Sequence, residues 1–266
     1  VHTALFLPIF GELAEPGEVA RLSAAAEEAG WDGVFVWDHM LYRPPVEAIA
    51  DPWVTMAAMA CATERIRLGP MVTPVPRRRP QKLARECVTL DRLSGGRVIL
   101  GAGIGGDPGG ELTVFDEELD PVARGRLLDS HLDLIVQLWS GEPVRHPAVS
   151  SPVEGVRMLP GPVQRPRIPV WLAARYPNRA PLRRAARFDG LFPIALTQPD
   201  QLREVIATVA EHRTDPAPFD IAVQGLPDAD PAPWVGAGAT WWLVRFDPFT
   251  VTADEVAGVL AAGPPT

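Results

Sequence analysis

The chain has 266 residues, of which 47% are hydrophobic, and a formal net charge of -8. That length suits one large core, and α/β barrels commonly close as one domain at ~250 residues. The acidic balance argues against nucleic acid or an anionic membrane surface as the main partner, and no apolar run approaches the ~18 residues of a membrane span.

The chain enters a strand at once, Ala4-Leu5-Phe6-Leu7-Pro8, with nothing resembling a signal peptide before it. Glu18 to Ala29 reads as a helix, with Val19, Leu22 and Ala26 at helical spacing and Gly30 as its stop. Gly33 to Trp37 is the second strand and Pro52 to Thr63 the second helix. Ile66 to Val72 is the third strand, Gln81 to Leu93 the third helix, and Arg97 to Ala102 the fourth strand. Val122 to Trp139 is a long helix whose leucines, Ile135 and Val136 form one broad face. Residues 141–167 form a proline-rich irregular insertion with room for a small hairpin. Strands then follow at Ile168–Ala173, Asp189–Ile194, Phe219–Val223 and Ala239–Val244, each with helical sequence after it: Arg179–Arg187, Pro199–His212, Pro231–Val235 and Ala253–Ala261.

Eight strands, each followed by something helical, predict a (β/α)₈ barrel, an α/β TIM barrel spanning 1–266 as a single domain. An open doubly wound sheet is the alternative. Reactive groups in a barrel sit at the C-terminal strand ends, which selects Pro8–Phe10, Asp38, His39, Thr73, 103–107, 174–179, Pro193 and Arg245.

The stretch Ser94-Gly95-Gly96-Arg97-Val98-Ile99-Leu100-Gly101-Ala102-Gly103-Ile104-Gly105-Gly106 leads from a turn into glycines at alternate positions. Glycine there allows close approach to the backbone. The spacing Gly101-x-Gly103-x-x-Gly106 also matches a dinucleotide fingerprint, which requires a helix opening at the glycines. Asp107-Pro108-Gly109-Gly110 extends the loop instead, so the Rossmann reading loses. Cys61 and Cys87 lie on apolar helical patterns and are expected as buried, reduced thiols of a cytoplasmic protein. Lys82 is the only lysine, a skew consistent with coding bias. The five histidines show no metal-ligand spacing.

Four segments in order carry a family resemblance: Glu27-Glu28-Ala29-Gly30-Trp31-Asp32-Gly33-Val34-Phe35-Val36-Trp37-Asp38-His39; Ala62-Thr63-Glu64-Arg65-Ile66-Arg67-Leu68-Gly69 leading to Val72-Thr73-Pro74; Leu93-Ser94-Gly95-Gly96-Arg97; and Pro162-Val163-Gln164-Arg165-Pro166-Arg167-Ile168-Pro169-Val170-Trp171. Together they resemble the bacterial-luciferase-like, flavin- or deazaflavin-dependent oxidoreductases over nearly the whole chain. The resemblance implies a (β/α)₈ barrel, often dimeric, that binds FMN or coenzyme F420 in its mouth.

From position alone a lone histidine is more often structural; the resemblance makes His39 a proton-exchanging residue, with Asp38 beside the ring or orienting it. Asp38 read alone is a solvated strand-end acid. The resemblance places Thr73 against the cofactor ring and a non-prolyl cis peptide at Pro70–Met71 behind it. It assigns Gly103, Ile104 and Gly105 to backbone contact with the ring. The phosphate falls to Ala174, Arg175, Tyr176, Asn178 and Arg179, with Asn178 a plausible helix N-cap in any protein. Several relatives carry a glutamate directly after the glycine loop, where this chain has Gly106 and then Asp107, itself a common turn former. Arg77-Arg78-Arg79 reads as a solvated charge run or as a counterion for an anionic tail.

The leading reading is therefore a luciferase-like oxidoreductase or monooxygenase using FMN or F420 on a small organic substrate. The alternatives are a flavin-holding barrel without turnover and a phosphate-substrate barrel enzyme without a redox cofactor. Met56, Ala57, Met59, Ala60 and Cys61 put small and flexible apolar groups around the second helix, predicting a homodimer joined through the second and third helices.

Overall fold

A computed structural model, describing residues 1–147 and 152–265, alternates strand and helix along the chain. The elements are β1 (His2–Leu7), α1 (Pro16–Glu28), β2 (Gly33–Val36), α2 (Pro52–Ala62), β3 (Arg67–Pro70), β4 (Thr73–Pro74), α3 (Pro80–Leu93) and β5 (Leu100–Gly103). They continue as α4 (Pro121–Trp139), β6 (Val144–His146), β7 (Val153–Val156), β8 (Val170–Arg175), α5 (Arg179–Ala185), β9 (Gly190–Ile194) and α6 (Pro199–Ala210). β10 (Asp220–Gly225), α7 (Ala232–Val235), β11 (Trp241–Arg245) and α8 (Ala253–Ala262) complete the fold.

Nine strands form one parallel sheet in the order β3-β2-β1-β11-β10-β9-β8-β5-β4. The sheet meets itself where Leu68 bridges Val98: Leu68 N–H donates to Arg97 O (3.2 Å) and Ile99 N–H donates to Leu68 O (2.9 Å). The result is a nearly closed barrel. Its third stave is split into β3 and β4 by a non-prolyl cis peptide at Met71–Val72, one residue later than the Pro70–Met71 bond expected. Met71 N–H still donates to Val36 O (2.8 Å), so the Pro70–Met71 peptide belongs to the ladder and the irregularity begins after it.

Alternating side chains fill two cores, as strands covered on both faces must. Leu5, Leu7, Val34, Val36, Leu172 and Val244 point outward and pack under the helices. Ala4, Phe6, Phe35, Trp171, Trp241 and Leu243 point inward and fill the barrel. At the strand ends this inner row becomes half-exposed through Trp37, Val72, Ala173 and Ile194, which makes an apolar floor for the mouth. The glycines of β5 serve the barrel wall: a Cβ on Gly101 would lie 2.2 Å from Pro70 O, and one on Gly103 would lie 2.8 Å from Val72 Cγ2.

The fourth expected strand begins at Leu100 and not at Arg97. The Arg97 backbone N–H is taken by Ser94 Oγ (3.2 Å), and its buried guanidinium donates to Ser94 O, Ala60 O, Thr63 O, Ile66 O and Thr63 Oγ1. It thereby caps the carbonyl end of α2. In the insertion, β6 and β7 form an antiparallel hairpin, with 148–151 outside the described residues. Gln164 beyond it donates to Asp91 Oδ1 (2.8 Å) and Val98 O (2.7 Å), tying the insertion's exit to α3 and the barrel seam.

Two expectations for α2 change. Cys87 is buried but Cys61 is exposed. Met56, Met59 and Ala60 are buried by neighbours in the same chain, leaving Val54 (63% exposed), half-buried Ala57 and Cys61 on the outer face. Among the described residues no helix is long and apolar enough to cross a membrane.

Candidate active site

β2 runs out at Val36 and hands the chain to Trp37, Asp38 and His39 at the mouth. His39 is half-buried among aromatic rings, with centroids 5.1 Å from Tyr42, 5.8 Å from Trp37 and 6.2 Å from Phe10. Its Nδ1 lies 3.0 Å from Oε1 of Glu111, whose side chain is only 1% exposed. Among the described residues Nε2 has no hydrogen-bond partner, so one imidazole nitrogen is held and the other is open.

Nothing in the sequence singles out Glu111. Its second oxygen accepts Met40 N–H at 2.8 Å and Leu41 N–H at 3.4 Å, and Arg77 Nη1 stands 2.7 Å from it without hydrogen-bond alignment. Burial alone would raise the carboxyl pKa; His39, the Met40 N–H and Arg77 outweigh it and bring Glu111 from 4.5 down to about 2. The loop that delivers Glu111 docks on the chain after β2 because Gly109 has no side chain: a Cβ there would lie 2.6 Å from Tyr42 Cα and 2.7 Å from Tyr42 N. The available signal is Gly109-Gly110-Glu111, an acid four residues beyond Asp107, but turn chemistry alone does not reveal its distant partner. Asp107 accepts Leu112 N–H (2.7 Å) and the Thr113 hydroxyl (2.6 Å), so it shapes this loop as a turn former.

Asp38 is buried, contrary to the solvated reading, and makes no hydrogen bond to His39 among the described residues. It accepts the Thr73 hydroxyl at 2.7 Å, Arg77 Nη2 at 3.2 Å and Arg78 Nη2 at 2.8 and 2.9 Å. The 3₁₀ turn Val75–Arg77 after β4 folds these arginines back over the ends of β2 and β4. Arg77 is thus neither a solvated charge nor a free counterion; it bridges two buried carboxylates, and only Arg79 of the run is exposed. The hydrogen bond to the His39 ring is made by Glu111, while Asp38 binds Thr73, Arg77 and Arg78.

The remaining expected residues share the mouth but differ in aim. Thr73 is buried with its hydroxyl committed to Asp38, and Pro70 packs in the ladder beside Val36. Met71 fills the inner core while Ile104 and Gly105 are half-exposed at the rim. Ala174 points outward into the helix-covered core, so it presents no side chain to the mouth. Arg175 takes the next inward position and is exposed. Tyr176 donates its hydroxyl to Glu204 Oε2 (2.9 Å). Asn178 occupies the N-cap position of α5 without a capping hydrogen bond, and Arg179 is exposed beside it.

The luciferase-like monooxygenase family model matches residues 4–231. A Mycobacterium tuberculosis protein named as a coenzyme F420-dependent oxidoreductase is 34% identical over 193 residues, covering 67% of this chain and 51% of that protein. The F420-dependent glucose-6-phosphate dehydrogenase of Microbacterium testaceum is 31% identical over 166 residues, covering 61% of this chain and 48% of the dehydrogenase. The chain therefore spans about half the length of these curated relatives. Among solved structures, monooxygenase RslO1 from Streptomyces bottropensis superposes with a TM-score of 0.80 at 21% identity, covering 98% of this chain and 97% of that one. The solved structure shares the fold, and the family model spans most of the sequence: the chain belongs to the luciferase-like monooxygenase family.

Proposed function

We propose that this chain is an F420- or FMN-dependent oxidoreductase acting on a small organic substrate at the C-terminal mouth of the barrel. The observation that carries this reading is His39, held at Nδ1 by buried Glu111 and open at Nε2 above a half-exposed apolar floor. When bound, the cofactor would supply hydride transfer or a reduced ring that activates oxygen. The floor of Trp37, Val72, Ala173 and Ile194 suits a flat ring, and the buried Trp37 Nε1 has no partner among the described residues. Ile104, Gly105 and the Met71–Val72 segment would border that ring, and the 175–179 loop would lie toward its phosphate.

In this reading Glu111 accepts the Nδ1–H of His39, fixing the tautomer whose Nε2 takes a proton; once protonated, the same atom donates it. The surrounding aromatic rings limit water around the imidazole. The binding-only alternative draws on the missing acid after the glycine loop, and Glu111 supplies an acid from farther along that loop. The chain would pair as a homodimer through the outer face of α2, where Val54, Ala57 and Cys61 lie.

Absorption titration of the purified protein with FMN and with F420 tests the reading. Saturable perturbation of one chromophore, followed by substrate-dependent oxidation or reduction of that bound cofactor, is the expected outcome. Failure to bind either one would overturn it.

A further inference from the structure

Four consecutive staves, β11, β10, β9 and β8, build the wall of the mouth beyond β1 from His39. Their inward rows change character at the top. On β11, Trp241 and Leu243 belong to the barrel interior while Trp242 and Val244 pack outside, so Arg245 takes the next inward position, in register with inward Phe6. On β10, Ala222 points in and Val223 out, which turns Gln224 inward. On β9 the same level is Ile194, half-exposed on the floor, and in register with it on β8 stands inward Arg175.

Arg245 and Gln224 are both half-buried, and neither side chain has a hydrogen bond or ion pair among the described residues. The nearest acid in sequence, Asp247, is turned away to cap Phe249 N–H at 2.9 Å. This contrasts with the other side of the mouth, where Arg77 and Arg78 are spent on Asp38 and Glu111. A half-buried guanidinium without an ion-pair partner has already lost part of its hydration, and an oxyanion recovers that cost through charge-assisted hydrogen bonds. Gln224, on the neighbouring strand and in register with Leu243, stands at the inward position diagonal to Arg245 and adds an amide donor.

We infer that Arg245 and Gln224 form an oxyanion subsite of the mouth, which takes the carboxylate or phosphate of a small ligand lying on the apolar floor. This deepens the functional reading by giving the substrate an anionic end, held on β11, one stave beyond β1 from the β2 end that carries His39. The same chemistry could come from the phosphate of a bound cofactor, and the two sources are separable.

The test uses the ligand-free protein, so it does not depend on turnover or on the cofactor reading. Isothermal titration with inorganic phosphate and with benzoate is run on the unaltered chain, Arg245→Gln, Arg245→Lys and Arg126→Gln; Arg126 lies exposed on α4. The unaltered chain and Arg126→Gln are expected to bind both anions equally. Arg245→Gln should weaken binding roughly 10- to 100-fold, as loss of a charged hydrogen-bond donor does. Arg245→Lys should retain part of it, which separates charge loss from misfolding. Equal binding by the unaltered chain and Arg245→Gln, or no saturable binding by the unaltered chain, would overturn the inference. The sources are told apart by titrating FMN against riboflavin. If Arg245→Gln erases the preference for FMN, the anion is the cofactor phosphate; if it leaves that preference unchanged, the anion belongs to the substrate.

Discussion

Glu111 Oε1 lies 3.0 Å from His39 Nδ1, although 72 residues separate them in the chain. The contact joins the loop after β5 to the end of β2, and everything near it supports the carboxylate. Met40 and Leu41 offer backbone N–H groups, Arg77 offers charge, and Gly109 gives the space in which the two loops meet. Removal of His39 should therefore cost chemistry more than binding. His39→Ala is expected to lower kcat about 10²- to 10⁴-fold, the usual worth of positioned proton transfer. Cofactor affinity, read by absorption titration, should move only a few-fold, because one imidazole contact is a small share of a ring's binding surface. A variant turning over at the unaltered rate with cofactor bound would show His39 to be structural.

The Glu111 carboxyl gives stability its own pH signature. Its folded pKa, about 2, lies below the unfolded reference of 4.5, so folding favours the ionised form. The contribution is complete above about pH 4.5 and is lost as pH falls towards 2, with an upper bound of about 3 kcal/mol from the linkage of shift to stability. Urea unfolding of the unaltered chain and Glu111→Gln should show a difference at pH 5 that shrinks as the pH is lowered to 3.5. A difference that stays flat or grows on acidification would contradict the assignment.

Gly109→Ala places a methyl 2.6 Å from Tyr42 Cα, which is backbone and cannot swing aside. The 107–112 loop must lift, carrying Glu111 away from His39. Turnover should fall at least tenfold while the melting temperature drops only a few degrees, since the displaced loop lies outside the two cores. Imidazole NMR on the cofactor-free protein provides the check. The Nδ1–H resonance of His39 should lose its hydrogen-bonded shift in Gly109→Ala, as it should in Glu111→Ala.

Arg97→Met is expected to be the costly substitution on the other end of the barrel. The buried guanidinium satisfies carbonyls of Ala60, Thr63, Ile66 and Ser94 at 2.7 to 3.0 Å. Methionine fills similar volume but leaves those acceptors unpaired, a loss of about 3 kcal/mol or more. Chemical denaturation should report that loss with turnover per folded molecule unchanged.

Assembly through α2 is tested by light scattering at micromolar concentration. A homodimer should give twice the chain mass of 28.8 kDa, and Val54→Glu, which charges the exposed face, should return it towards one chain. A mass near 28.8 kDa for the unaltered protein, with no heavier species, would reject the dimer.

Local chemistry makes the barrel legible in the chain itself. Continuous apolar runs such as Ala4–Leu7 and Trp241–Val244, separated by amphipathic helices, need burial on both faces, and a helix-wrapped parallel barrel provides it. His39 is marked as a candidate by its place after a strand end together with the family resemblance, since position alone reads a lone histidine as structural. Residues whose meaning depends on a distant neighbour are not legible. Arg77-Arg78 looks like a solvated run in sequence, yet a 3₁₀ turn buries both against Asp38. Ala174 and Arg175 are adjacent in the chain but face opposite sides of the sheet, so only one can reach the mouth. The partner of His39 is the sharpest case. Glu111 sits in a polar loop with no periodicity to mark it, and its low pKa exists only after barrel closure brings the β2 and β5 loops together and removes water between them. Patterning along the chain determined the wall; contacts between loops far apart in the chain decided the site, because electrostatic energy depends on distance in space and on the water that folding excludes.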